Sequence, residues 1–242
     1  MREHKNVIVT LMWNKWELTE RLLDGLMTHE GGNIDEIYVI DNGSEPRLDW
    51  LEFHNYIEER KSNSTPWCMA TQTNFIIGRL ETNVGFTLGA NYGLQKVCDK
   101  MAEKKLVFLI SNDVQINGKF INQAEDILLG AKRALVGNRH IDWDSGWNRH
   151  SDILFDYLEG YFLAATSDGW RDLNYFDPNY APFDFEDLDL SATAKKKGYK
   201  LVSLNNPNIV HQNGGTIGFN PEREKITRRN MEYFKRKWTD AR

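Results

Sequence analysis

Four places in the chain carry residue types that can do chemistry. Leu106 to Val114 reads LVFLISNDV, an apolar run that ends in Ser111, Asn112 and Asp113. A carboxylate at the exit of a buried strand is placed to hold a metal or a sugar hydroxyl, because ligands of open α/β sheets bind beyond the carboxyl ends of the strands. The plainer use of such an Asp is to begin a turn. Asp41, in DNGS at 41 to 44, follows a second apolar run and reaches the same sheet edge if the two strands are parallel. Asp184, Glu186, Asp187 and Asp189 put four carboxylates into six residues. Some would cap a helix beginning near Asp187 and complement its dipole, and the excess suggests that at least one faces a reacting group. His211 lies just before Asn213-Gly214-Gly215. A lone His after a strand is usually structural, but a glycine-rich loop can close over phosphates, which makes His211 a candidate metal ligand.

Positioning these groups calls for alternating strands and helices. Strands are expected at 6–13, 35–40, 74–81 and from Leu106. Between them, Leu18, Leu22, Leu23, Leu26 and Met27 mark one helix, which Asn14 and Glu17 would open as a capping box and Gly31-Gly32 would end. A second helix runs through Leu48, Leu51 and Ile57, followed by a polar loop at 61–73. Leu94, Val97, Cys98 and Met101 give the stripe of a third, after a turn at 82–86. This alternation predicts a parallel sheet wrapped by helices. Beyond it come a helix at 120–129, a short strand at 134–137 and a strand within 153–166 with Glu159-Gly160 in its middle. A turn at Asp177-Pro178, a helix from near Asp187 to Lys197 with Gly198 at its C-terminus, a strand at 199–204 and a basic helix from Pro221 complete the reading. The segment 140–152 mixes His, Asp and Trp, and reads as an exposed loop whose Trp143 or Trp147 stacks on a ligand, or as a packed loop.

A chain of 242 residues, 40% hydrophobic and 12% aromatic, has enough apolar surface for a core. Its net charge of −5 offers no global positive field, so a nucleic-acid acceptor is not indicated. Arg228, Arg229, Lys235, Arg236 and Lys237 are first a solvated face and second a local contact for an anionic partner. Cys68 and Cys98 lack metal-ligand spacing and are expected as reduced thiols. The first apolar run is too short and too soon interrupted for a signal peptide, and no run has the length of a membrane span. The expectation is a cytoplasmic protein without an integral membrane segment, peripheral attachment at a membrane surface staying open. No G-x-G-x-x-G opens the first helix and no G-x-x-x-x-G-K-[ST] occurs, which disfavours dinucleotide oxidoreductases and P-loop enzymes. A divalent ion on Asp113 would hold a diphosphate without a glycine cradle.

Six stretches taken together resemble the inverting family 2 glycosyltransferases of the GT-A fold, in particular the rhamnosyltransferase-like branch. They are VIDNGS at 39–44, NVGFTLGANYG at 83–93, LISNDV at 109–114, FEDLDLSATAKKKGYKLV at 185–202, VHQNGG at 210–215 and NMEYFKRKW at 230–238. The resemblance spans nearly the whole chain. It implies a Rossmann-like α/β fold, a mostly parallel sheet flanked by helices, as a single domain over 1–242. Residues 1–114 would form the nucleotide-sugar-binding half and 115–242 the acceptor-binding and catalytic half.

It further implies a UDP- or dTDP-sugar donor held by Asp41, Asn83, Gly85, Asn112 and Asp113, and a Mn2+ or Mg2+ ion on Asp113 and His211. Asp187 matches the general base, and Glu186 is the carboxylate able to substitute for it. Ser111 stands where the family often has a second Asp, leaving one carboxylate for the metal. Transfer to an alcohol needs a base at the acceptor hydroxyl and charge neutralisation at the departing diphosphate, and attack opposite the leaving group predicts inversion. The acceptor is a glycan, a lipid-linked sugar or another hydroxyl compound. Rival readings are a nucleotidyltransferase, whose glycine-rich signature is missing from LMWNK at 11–15, and a nucleotide-sugar or glycan-binding module without turnover.

Overall fold

Apolar runs that do not alternate require a sheet covered on both faces. The computed structural model, which describes residues 2–62, 67, 72–99, 104–141, 156–212 and 221–239, builds that sheet. β1 (Lys5–Met12), β2 (Glu36–Asn42), β3 (Asn74–Leu80) and β4 (Lys105–Ile110) are parallel, with β1 between β2 and β4. The helices α1 (Trp16–Glu30), α2 (Trp50–Ser62) and α3 (Gly85–Cys98) connect them. All six residues of β4 are buried. Leu106, Phe108 and Ile110 face one core with Leu22 and Leu26 of α1 and Phe53 and Ile57 of α2. Val107 and Leu109 face the other with Leu94, Val97 and Cys98 of α3.

The sheet continues on the far side of β4 through β9 (Phe162–Thr166), β6 (Ala134–Gly137) and β10 (Lys200–Ser203). β9 is antiparallel to both its neighbours, so seven strands in the order β10-β6-β9-β4-β1-β2-β3 make a mostly parallel sheet. Two small pairs stand apart from it. β5 (Val114–Ile116) pairs antiparallel with β11 (Ile209–His211), and β7 (His140–Ile141) with β8 (Tyr157–Leu158). The remaining helices are α4 (Ile121–Gly130), α5 (Ser167–Leu173), α6 (Glu186–Lys196) and α7 (Pro221–Thr239).

Three sequence expectations need correction. The capping box at Asn14 and Glu17 does not form: α1 begins at Trp16 with no side-chain cap. Asn14, at φ 60°, instead accepts from the Glu45 N–H and donates its own N–H to Ser44 Oγ, joining the exits of β1 and β2. Glu159-Gly160 is not the middle of a strand but the break between β8 and β9, which turns the backbone toward α6. α5 was not expected. Its seven residues are too few to show periodicity, although Thr166 caps it by accepting from the Gly169 N–H. Cys68, Met101, Trp143, Trp147 and the Gly214-Gly215 loop lie outside the described residues; Cys98 is buried and free. No helix among the described residues is long and apolar enough to cross a membrane.

Candidate active site

The strand order reverses between β1 and β4, and it is beyond this point that open α/β sheets bind ligands. A cleft of about 1300 Å³ opens there. One side is formed by Met12 and Trp13 at the end of β1, Asn42 at the end of β2, Asn83 and Gly85 at the start of α3, and Ser111 to Asp113 after β4. The facing side is formed by Tyr157 and Glu159 to Tyr161, by Pro182 to Leu188 at the start of α6, by His211 and by one face of α7. Asp113 and Asp187, 74 positions apart in sequence, thus line one cavity.

The chain turns sharply at Asp113, where the Val114 N–H donates to Ser111 O. The β5–β11 pairing then sets His211 opposite Val114, with the Gln212 N–H donating to Asp113 O. His211 Nε2 lies 3.4 Å from Asp113 Oδ1, and its ring stacks on Tyr161 at 4.4 Å. A hard divalent ion is commonly held by one or two carboxylates and completed by phosphate oxygens. One largely buried carboxylate beside an imidazole fits such a two-ligand site. No set of three His, Cys, Asp or Glu side chains that would cage a metal alone is found among the described residues.

On the near side, Asn42 links strand end to helix start. Its Nδ2 donates to Asn83 Oδ1 and Gly85 O, and its Oδ1 accepts from the Val84 N–H. Gly85 has φ +82°, and a Cβ there would sit 2.3 Å from Pro182, so only glycine allows this approach. Asn112 is buried and donates to Thr19 Oγ1 of α1. Asp41 does not line the cleft: it is 1% exposed, pairs with Arg79 of β3 and accepts from the Ser44 N–H. Its neighbour Asn42 points the other way because side chains alternate along a strand. That alternation was the available signal for Asn42.

The acidic run separates into distinct tasks. Asp184 pairs with Arg223 at 2.8 Å and accepts from Thr227 Oγ1, both on α7. Asp189, though in the first turn of α6, is 2% exposed and accepts from Tyr180, Lys237 and Trp238, so it anchors α7 and does not serve the helix start. Glu186 is 7% exposed and its Oε2 has no partner among the described residues. Burial, reinforced by the adjacent Asp187 charge, holds its carboxyl well above the usual carboxylate range. Asp187 is partly open to the cleft. Its Oδ2 accepts from the Gly160 N–H and its Oδ1 from the Leu188 N–H, each at 2.9 Å. Desolvation outweighs these bonds and, with the nearby Asp184 and Glu159 charges, pushes it up to about 7. A carboxylate tuned to that range and facing a cavity can take a proton from a hydroxyl.

Comparison with protein-family models gives no match, and comparison with curated proteins gives none either. Solved structures do match. TarS of S. aureus aligns with 87% of this chain and 37% of its own, at TM-score 0.56 and 16% identity. It has been crystallised with UDP-GlcNAc and with UDP. GalNAc-T7, crystallised with UDP, GalNAc and Mn2+, aligns with 96% of this chain and 50% of its own, at TM-score 0.62 and 13% identity. The glycosyltransferase GlyE of Streptococcus pneumoniae TIGR4 aligns with 98% and 64%, at TM-score 0.57 and 12% identity. The chain has the GT-A fold of glycosyltransferases. It spans between 37% and 64% of the length of these structures.

Proposed function

We propose that this chain is an inverting, metal-assisted glycosyltransferase that moves a sugar from a UDP- or dTDP-sugar to an acceptor hydroxyl. The observation that carries the reading is the single cleft lined by Asp187 and by Asp113 with His211 beside it. The uridine diphosphate, UDP-GlcNAc and Mn2+ found with TarS and GalNAc-T7 support the same class of donor and ion for this fold. Residues 1–114 hold the donor, with Asn42, Asn83, Gly85 and Asn112 along its path and Asp41 bracing the end of β2 from behind. Residues 115–242 supply the acceptor wall and the base.

Asp113 and His211 hold a Mn2+ or Mg2+ ion, and His211 is kept in its orientation by Tyr161. Bound there, the ion supplies charge neutralisation to the departing diphosphate. Asp187 accepts the proton of the acceptor hydroxyl while the hydroxyl oxygen forms its bond to the anomeric carbon. The bond from that carbon to the diphosphate oxygen breaks, its electron pair leaving with the diphosphate. Attack from the face opposite the leaving group inverts the anomeric centre, and no sugar is attached to the protein. Glu186, more buried than Asp187 and with its carboxyl held well above the usual carboxylate range, lies beneath Asp187 and is not the base.

The test mixes donor, Mn2+ and candidate acceptors and measures release of nucleoside diphosphate. Asp187→Asn is expected to lower turnover by about 10²- to 10⁴-fold, the range of general base catalysis, with donor affinity unchanged. Full turnover by that variant would overturn the choice of base, and donor binding without release by the wild type would favour a binding module.

A further inference from the structure

α6 starts without the local signals that usually set a helix. Phe185 precedes it with no side-chain cap, and Asp184 and Phe185 have φ of 70° and 76°. Left-handed backbone is costly for residues with a Cβ and persists only where the surroundings impose it. Here the surroundings are α7. Asn230, 0% exposed, has Nδ2 within hydrogen-bond distance of three carbonyl oxygens that share its two N–H hydrogens: Tyr180 at 2.7 Å, Phe183 at 2.7 Å and Asp184 at 2.8 Å. Its Oδ1 accepts from Arg229 Nε, and Arg229 Nη2 donates to Ala181 O. The remaining carbonyl of the segment, Pro182 O, accepts from the Thr87 N–H of α3. Every backbone carbonyl from Tyr180 to Asp184 is therefore held by a donor outside the segment.

We propose that Asn230, oriented by Arg229, is a positioning residue for Asp187: it fixes the Tyr180–Phe185 segment in its strained form and so sets where α6 begins and where the Asp187 carboxylate enters the cleft. The inference rests on the reading of Asp187 as base. Neither α7 residue touches the reacting atoms. The side-chain amide is required because an acceptor in place of Nδ2 would face three carbonyl oxygens and repel them. If the segment relaxes, water reaches the Asp187 carboxyl and the Gly160 N–H no longer meets it squarely.

Asn230→Asp, which keeps shape and removes the donor, tests this, and Arg229→Ala carries the test should the first variant fail to fold. Two readouts are needed: titration of the Asp187 side-chain carbon by NMR, and the affinity for UDP in the presence of MnCl2. The expected result is a proton affinity of Asp187 lowered by about tenfold, since desolvation is what raises it, with UDP affinity within about twofold of wild type. For turnover, an ångström-scale displacement is expected to cost kcat about 10²-fold with donor KM little changed. A folded variant in which Asp187 titrates as in the wild type, even with a lowered Tm, would overturn the proposal and leave Asn230 a packing residue. If Asp187→Asn keeps full turnover while Asn230→Asp still moves the titration, the base assignment fails and the positioning geometry stands.

Discussion

In the proposed reaction the base is Asp187, a side chain whose environment works against its charge. The carboxylate must be ionised to accept a proton, so transfer is expected to rise with pH through about 7 and level off above it, read as the acidic limb of a rate profile. Burial, with the Asp184 and Glu159 charges nearby, causes this shift, and no rise is expected in the ordinary carboxylate range. The same shift bears on stability with a definite sign. A carboxyl raised in the folded state contributes stability that is fully present below its unfolded value and is lost as pH rises through about 7. Asp187→Asn should therefore melt at a higher temperature than wild type at pH 8, the difference fading toward pH 4, as measured by calorimetry at both pH values. His211 lines the same cleft beside Asp113. His211→Ala is expected to raise the Mn2+ concentration for half-maximal activity by at least about tenfold, the scale on which even supporting partners of metal sites act.

At the level of elements, the site depends on two contacts between segments remote in sequence. β11 lays His211 beside Asp113 through three paired positions with β5, and Gly85 admits Pro182 to the start of α3. The second contact joins the donor side of the cleft to the segment that precedes the base. Gly85→Ala places a Cβ against Pro182 and strains a φ of +82°, and is expected to lower stability by about 1–3 kcal/mol in denaturant unfolding while reducing both donor affinity and turnover. Arg79 illustrates a different dependence. Its removal would leave the buried Asp41 without its cation partner, a loss of about 3 kcal/mol, since a buried pair costs most when only one partner is taken away.

For the molecule as a whole, a cleft walled by both halves of the chain makes ligand binding a stabiliser of the folded state. UDP with Mn2+ at a hundred times its dissociation constant should add about 2.7 kcal/mol and raise Tm by roughly 5–10 °C, measured by thermal shift, with no such rise for UDP when Asp113 is replaced by Ala. The alternation of apolar runs and helical stripes made the mostly parallel sheet legible from the sequence, because strands buried on both faces must be continuously apolar. Asp113 and Asp187 were legible for a related reason, since carboxylates beside strand exits and crowded at a helix start are conspicuous where polar groups have few other uses. What the residue string left open was set by contacts it does not encode locally. The antiparallel insertion of β9, the pairing of β11 with β5, and the three carbonyls gathered by Asn230 each join segments tens of residues apart. Sequence patterning determined which elements form and which faces they bury, since that follows from local periodicity and solvent. Only tertiary packing decided that Asp41 turns inward to Arg79, that Asp189 serves α7, and that Asp187 keeps its carboxylate partly open to the cleft while Asp184 is taken up by Arg223 and Thr227, because desolvation and partner choice are properties of the assembled neighbourhood.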